Sequence, residues 1–163
     1  MAGFQIRPYQ PADFNACLNC FESNIPTYFT RSEAADFRIW LGALGEMKDE
    51  NSVGVDTAYF VIVSANQIIG CGGFGLSDNC RDVVFAWGLI HRSYHNRGYG
   101  KALAEFRLNI IKERFPGADI VLDTTQHSYR FFERLGFLTE KITLNFYAAD
   151  LHRYDMRFVA EAL

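Results

Sequence analysis

The chain has 163 residues, 49% of them apolar and 21% charged, with a formal net charge of −3. These proportions suit one globular domain, residues 1–163, with a real core; they exclude a disordered chain and an overall cationic field of the kind that nucleic acid selects, leaving only a local basic patch open. The longest apolar runs, such as "VVFAWGLI" (Val83–Ile90), are strand-sized, so no membrane span of about 20 residues is expected.

"FQIRPY" (Phe4–Tyr9) predicts a short opening strand closed by Pro8 and Pro11. The start "MAGFQIRPYQ" has no apolar stretch behind a basic one, so the expectation is no secretory signal, a cytoplasmic location and reduced thiols. Asp13 to Ser23 carries Phe14, Cys17, Leu18 and Phe21 at helical spacing. Cys17 and Cys20 form a C-x-x-C within that stretch, but Cys71 and Cys80 are too far apart to complete a zinc site. A buried, structural pair on one helix face is expected, with no metal. Ser32 then reads as an N-cap before "EAADFRIWLGALG", with Gly42 and Gly45 at a fraying end.

"AYFVIVS" and "QIIGCGGFGL" are two strands joined at Ala65-Asn66 as a hairpin, and "RDVVFAWGLI" is a third. After a glycine-rich turn comes a long helix from Tyr99 to about Phe115, stopped by Pro116-Gly117. "ADIVLDT" is a strand, "SYRFFERLG" a short helix, and "FLTEKITLNFY" and "HRYDMRFVA" are two closing strands. A three-strand meander followed by strand–helix–strand implies a mixed α/β sheet with helices on its faces. Ligands bind such sheets where a strand feeds a helix, and "LIHRSYHNRGYGKAL" is the only such junction rich in glycine.

Gly98 and Gly100 let backbone amides gather at the positive end of the following helix, which suits a phosphate. Arg92, Arg97 and Lys101 add charge fit for a pyrophosphate. The pattern lacks the G-K-[ST] end of a P-loop and the three-glycine spacing of a dinucleotide fold. A nucleotide-phosphate enzyme is further disfavoured by the missing magnesium ligands.

"LIHRSYHNRGYGKALAEF" resembles the signature of the GNAT superfamily of acyl-CoA-dependent N-acyltransferases, with His95 at the usual Gln or Arg position and Arg92 at the usual Pro. "VLDTTQHSYRFFERLGF" is similar to a second family stretch, with Thr125, Ser128 and Phe132 at its Asn, Ala and Tyr positions; "IRPYQPADF" is similar to the family's opening. The resemblance implies a mostly antiparallel twisted sheet, splayed at the cofactor site and flanked by helices. It implies acetyl-CoA as co-substrate. The diphosphate would rest on the amides of His95, Asn96, Arg97, Gly98, Tyr99, Gly100 and Lys101, and the pantetheine arm beside Leu89 and Ile90, with Thr125, Ser128 and Phe132 across from it.

The implied reaction is direct acetyl transfer to a primary amine of a small molecule or peptide. The family's usual acid is a tyrosine, and Phe132 cannot donate. Tyr129, three residues earlier, either substitutes for it or simply packs. Asp123 is the base expected here, although an aspartate at a strand end is more often a helix cap or turn former; His91, His127 or a water chain to a more distant carboxylate are the alternatives. Acceptor choice is expected from Asn24 to Gly45 and from the loop before the last strand; Tyr28, Phe29, Phe37 and Trp40 are either pocket wall or core, and Glu33 and Asp36 either attract a cationic amine or are ordinary first-turn acids. The competing reading is a non-catalytic acyl-CoA-binding module. Nucleic acid and membrane are not expected partners, and strand edges near the carboxyl terminus allow, without indicating, a homodimer.

Overall fold

The computed structural model describes residues 3–46, 57–79 and 81–159. Among these residues seven strands form one sheet in the order β1-β2-β3-β4-β5-β7-β6. Their spans are β1 (Phe4–Pro8), β2 (Thr57–Ser64), β3 (Gln67–Leu76), β4 (Asp82–Ile90), β5 (Asp119–Thr124), β6 (Phe137–Ala148) and β7 (Leu151–Phe158). The helices are α1 (Phe14–Glu22), α2 (Arg31–Glu46), α3 (Tyr99–Arg114) and α4 (Tyr129–Glu133). The expected mixed α/β sheet is therefore present, and α4 is shorter than its sequence pattern predicts. Cys80 lies outside the described residues.

All neighbouring strands run antiparallel except β4 and β5. That parallel pair is joined only from Asp82↔Asp119 to Val84↔Val121, although β4 continues to Ile90 and β5 to Thr124. β5 meanwhile stays paired to β7 as far as Thr124↔Tyr154. The two central strands thus part company halfway along, leaving a V-shaped opening.

A bulge in β4 coincides with the parting. Gly73 faces Ala86 and Cys71 faces Leu89, so Trp87 and Gly88 share the place opposite Gly72. Trp87 takes φ 42, a value a bulky residue holds only when its surroundings fix it. Here its carbonyl accepts the Tyr59 hydroxyl at 2.8 Å, and its indole packs 5.8 Å from Phe21 and 5.4 Å from Phe37, centre to centre.

Each sheet face carries its own core. α3 and α4 cover Phe74, Val83, Phe85, Ile120, Leu122, Phe137 and Met156. α1 and α2 cover Tyr59, Val61, Cys71 and Leu89 with Cys17, Cys20, Phe21, Phe37 and Leu41. Cys17 and Cys20 are fully buried on one helix face, and burial pushes the Cys20 thiol up to about 12, which makes it inert near neutrality. Phe29, Phe37 and Trp40 also belong to this core.

The start of α2 differs from its sequence reading. Thr30, not Ser32, is the cap: its hydroxyl accepts the Glu33 N–H at 3.2 Å while Glu33 Oε1 accepts the Thr30 N–H at 3.0 Å. This reciprocal pair satisfies two end donors at once, which a serine inside the first turn does not. Gly42 and Gly45 lie within the helix rather than ending it.

Arg7 of β1 grips Asp13 through two bonds of 2.8 and 2.9 Å, and Asp13 also accepts the Gln10 N–H at 2.9 Å. The bond to Arg7 holds the Asp13 carboxyl below the usual carboxylate range. Asp13 therefore stabilises the fold above about pH 4 and ceases to do so as acid titrates the lowered folded value. Asp13→Asn is expected to cost about 2 kcal/mol at pH 7, or roughly 6 °C in Tm. In thermal melts, variant and wild type should converge at about pH 2.

Candidate active site

Beyond Ile90 the chain makes a 3-10 turn, Arg92–Tyr94, before entering α3. His91 caps that turn, its Nδ1 accepting the Ser93 N–H at 3.2 Å. The His95 N–H is likewise taken, by the Arg92 carbonyl at 3.2 Å, and His95 Nε2 lies 2.8 Å from the Ile90 carbonyl oxygen. The same oxygen accepts from Asn24 Nδ2 at 2.9 Å. His95 is thus a brace for the end of β4, and the run of amide donors begins after it.

Asn96 (φ 60) and Gly98 (φ 87) are both left-handed, which turns successive N–H groups to one side. Gly98 caps α3, whose first internal bond runs from the Ala102 N–H to the Gly98 carbonyl at 3.0 Å. The amides of Gly98, Tyr99, Gly100 and Lys101 therefore precede the ladder, at the positive end of a helix of 16 residues. Tyr99 is buried edge-on against Phe4 and Tyr94, which fixes the first turn. Arg97 and Lys101 are exposed beside it, Arg97 over the Tyr94 ring at 5.5 Å and Lys101 at 3.8 Å from Glu105. These donors and charges fit a diphosphate.

The β5 side of the opening is built by the turn into α4. The buried Thr125 hydroxyl accepts the His127 N–H at 3.2 Å, and its carbonyl accepts the N–H groups of Ser128 and Tyr129, each at 3.1 Å. Thr125 is thereby engaged in its own turn, and Ser128 caps α4. Phe131 reaches the glycine turn: a Cβ on Gly100 would stand 3.5 Å from its ring. Phe132 packs edge-on to Phe137 at 5.8 Å. Tyr129 stacks on Tyr154 of β7 at 4.4 Å, one strand beyond β5 from the opening, and its hydroxyl accepts from Arg130 Nε at 3.1 Å.

A profile of the acetyltransferase (GNAT) family matches residues 18–137, which include both the glycine turn and the turn into α4. The chain belongs to the GNAT acetyltransferase family. Solved structures agree in fold. A GNAT-family protein from Desulfovibrio desulfuricans superposes with a TM-score of 0.79 at 18% identity, over 98% of this chain and 99% of that one. A ribosomal-protein alanine N-acetyltransferase from Escherichia coli gives 0.73 at 14% identity, over 99% and 96%. An aminoglycoside 6'-N-acetyltransferase complexed with coenzyme A also gives 0.73 at 14% identity, over 98% and 99%. No protein with a curated description matches the chain.

The other face of this GNAT sheet is open beside β5. Asp123 alternates with the buried Leu122 and so points away from α3 and α4. It accepts a bond from the Tyr147 hydroxyl, and Arg153 Nη2 lies 3.8 Å away. Burial and Asp123 both push the Tyr147 hydroxyl up, so it stays a proton donor. Glu33 of α2 looks onto the same place; burial raises its carboxyl, the bonds from Thr30 oppose this, and Asp123 and Asp36 add to it. Tyr28 bridges the mouth, its ring 5.3 Å from His95 and 5.9 Å from His127. A groove of about 300 Å³ leads away along β4, β5 and β7, floored by Val84 and Val121 and edged by Asp123 and Asp155.

Of the aromatic residues expected as wall or core, Tyr28 alone faces the opening. Tyr147 carried no signal in the sequence, because its partner lies 24 residues away on another strand. Asn24 carried a weak one: it falls just past a helix end, a usual place for asparagine to bond backbone, here the Ile90 carbonyl.

Proposed function

We propose that the protein is an N-acetyltransferase that passes the acetyl group of acetyl-CoA directly to a primary amine of a small molecule or peptide. One observation carries this reading: four helix-entry amides and two cations stand at the mouth of a sheet opening whose β5 side carries Asp123 with Tyr147 and Arg153. The diphosphate sits on the amides of Gly98 to Lys101. The pantetheine arm follows the unpaired edge of β4 past Leu89 and Ile90, as an added strand does. The amine arrives from the face of Asp123, Glu33 and Tyr147. Similar folds are named for amine acceptors of both kinds, an alanine of a ribosomal protein and the 6' nitrogen of an aminoglycoside.

The amine nitrogen attacks the thioester carbon, the C–S bond breaks, and the electron pair leaves on sulfur. Asp123, held by Tyr147 and Arg153, takes the amine proton directly or through water. Tyr129 faces β7, so the thiolate leaves without a tyrosine acid; its ordinary pKa of about 8.5 makes that tolerable.

Acetyl-CoA with an amine panel, followed by thiol release beside thermal shift, tests the reading. Stabilisation together with amine-dependent thiol release is expected. Stabilisation without release on any amine supports a binding module instead, and no stabilisation contradicts both. Asp123→Asn is expected to lower kcat by about a hundredfold with acetyl-CoA affinity within twofold of wild type. Tyr147→Phe, which frees the carboxylate from one donor, should lower kcat by about tenfold.

A further inference from the structure

Of the charged side chains of α3, Arg107 alone is buried, at 3% exposure. Its guanidinium lies against the bulged stretch of β4, with its central carbon 4.0 Å from the Phe85 ring. Nη1 donates to the Gly73 carbonyl at 3.2 Å and Nε to the Leu103 carbonyl at 3.4 Å. Two glycines make the space. A Cβ on Gly88 would stand 2.8 Å from Nη2, and one on Gly72 would stand 3.2 Å from the central carbon.

Burial lowers the pKa of this arginine to about 10, so it remains a cation at neutral pH. The titratable groups that act on it from the packed strands are the Tyr59 hydroxyl of β2 and the Cys71 thiol of β3. Burial raises both well above their ordinary values, so neither carries charge there. Carbonyl dipoles and an aromatic face are what meet the charge, a costly arrangement that an apolar side chain of equal length avoids. Gly88 itself is exposed, on the part of β4 that β5 leaves unpaired. The cation therefore stands directly behind one wall of the opening.

We infer that Arg107 projects a positive field through the Gly88 backbone that stabilises the coenzyme A thiolate as the C–S bond breaks. This rests on the reading above that the pantetheine arm lies along β4. The amine forms the new C–N bond, sulfur takes the electron pair, and no proton is needed on sulfur. From the opposite face the carboxylates of Asp123 and Glu33 act against a thiolate. His95, His127, Tyr28 and Tyr147 also face the opening, and Arg153, 3.8 Å from Asp123, is the cation on that side. A thiol placed there without Arg107 would titrate at or above its ordinary value.

The test follows the thiol of bound coenzyme A by thiolate absorbance from about pH 6 to about pH 9.5, with acetyl-CoA affinity measured alongside. In the wild type the bound thiol is expected to titrate at least about one unit below its ordinary 8.5, a tenfold gain in thiolate binding. Arg107→Met should return it upward by a similar amount, with acetyl-CoA affinity within twofold of wild type, and Arg107→Lys should keep most of the shift. A bound thiol at or above the ordinary value in the wild type overturns the inference without any variant. Identical titrations in wild type and Arg107→Met also overturn it. Failure of acetyl-CoA to bind the wild type removes the underlying reading and the inference together, whereas binding with an unshifted thiol removes the inference alone.

Discussion

Reversing both charges beside the glycine turn, Arg97→Glu with Lys101→Glu, is expected to weaken acetyl-CoA binding by about a hundredfold or more. On the proposed site each change would remove a charge-assisted contact to the diphosphate and set a repulsion in its place, so about 1.4 kcal/mol per position is a modest figure. Both side chains are exposed, so salt screens part of the effect. Calorimetric titration at low and high salt should therefore show a steep salt dependence in the wild type and a shallow one in the variant. Lys141→Glu, at the exposed edge strand β6, should bind like wild type. Unchanged affinity in the double variant would place the coenzyme elsewhere.

The largest stability effect is expected at Gly73. A Cβ there would lie 2.0 Å from the Ala58 carbonyl oxygen and 2.7 Å from Tyr59 Cδ1, both on the strand to which Gly73 is paired. Neither atom moves without separating β2 from β3, and Tyr59 is buried. Gly73→Ala should therefore cost more than about 3 kcal/mol and lower Tm by 10 °C or more. Gly42→Ala is the control: nothing lies within 4 Å of that Cβ on α2. It should raise stability by up to about 1 kcal/mol through helix propensity. A mild loss at Gly73 would mean that the β2–β3 register is wrong.

The strands and helices were legible because their signals are local. Apolar runs of strand length, Pro116-Gly117 after α3, and the Ala65-Asn66 turn, with both residues left-handed (φ 49 and 61), all act within a few residues. The helix cap at Thr30 was missed by two residues because Ser32 has the same chemistry; only the Glu33 partner distinguishes them. The glycine turn was legible for the same local reason, down to the left-handed Gly98.

What could not be read depends on contacts across the sheet. The parting of β4 from β5 is accompanied by the bulge at Trp87 and Gly88, which exists only in register with β3. Thr125 and Tyr129 stand at positions that suit a cleft, yet one serves its own turn and the other stacks on β7. Tyr147 and Arg107 matter through partners on other elements, so no spacing in the sequence marks them, and Tyr28 was legible only as one of four aromatic candidates.

Amide proton shifts of residues 96–101, followed by NMR while acetyl-CoA is added, would show whether bare backbone donors hold its diphosphate. With the His95 amide followed as the internal reference, large downfield movement confined to Gly98, Tyr99, Gly100 and Lys101 and little at His95, whose N–H is already bonded, is the predicted result. Saturable binding that leaves those four resonances in place would contradict it.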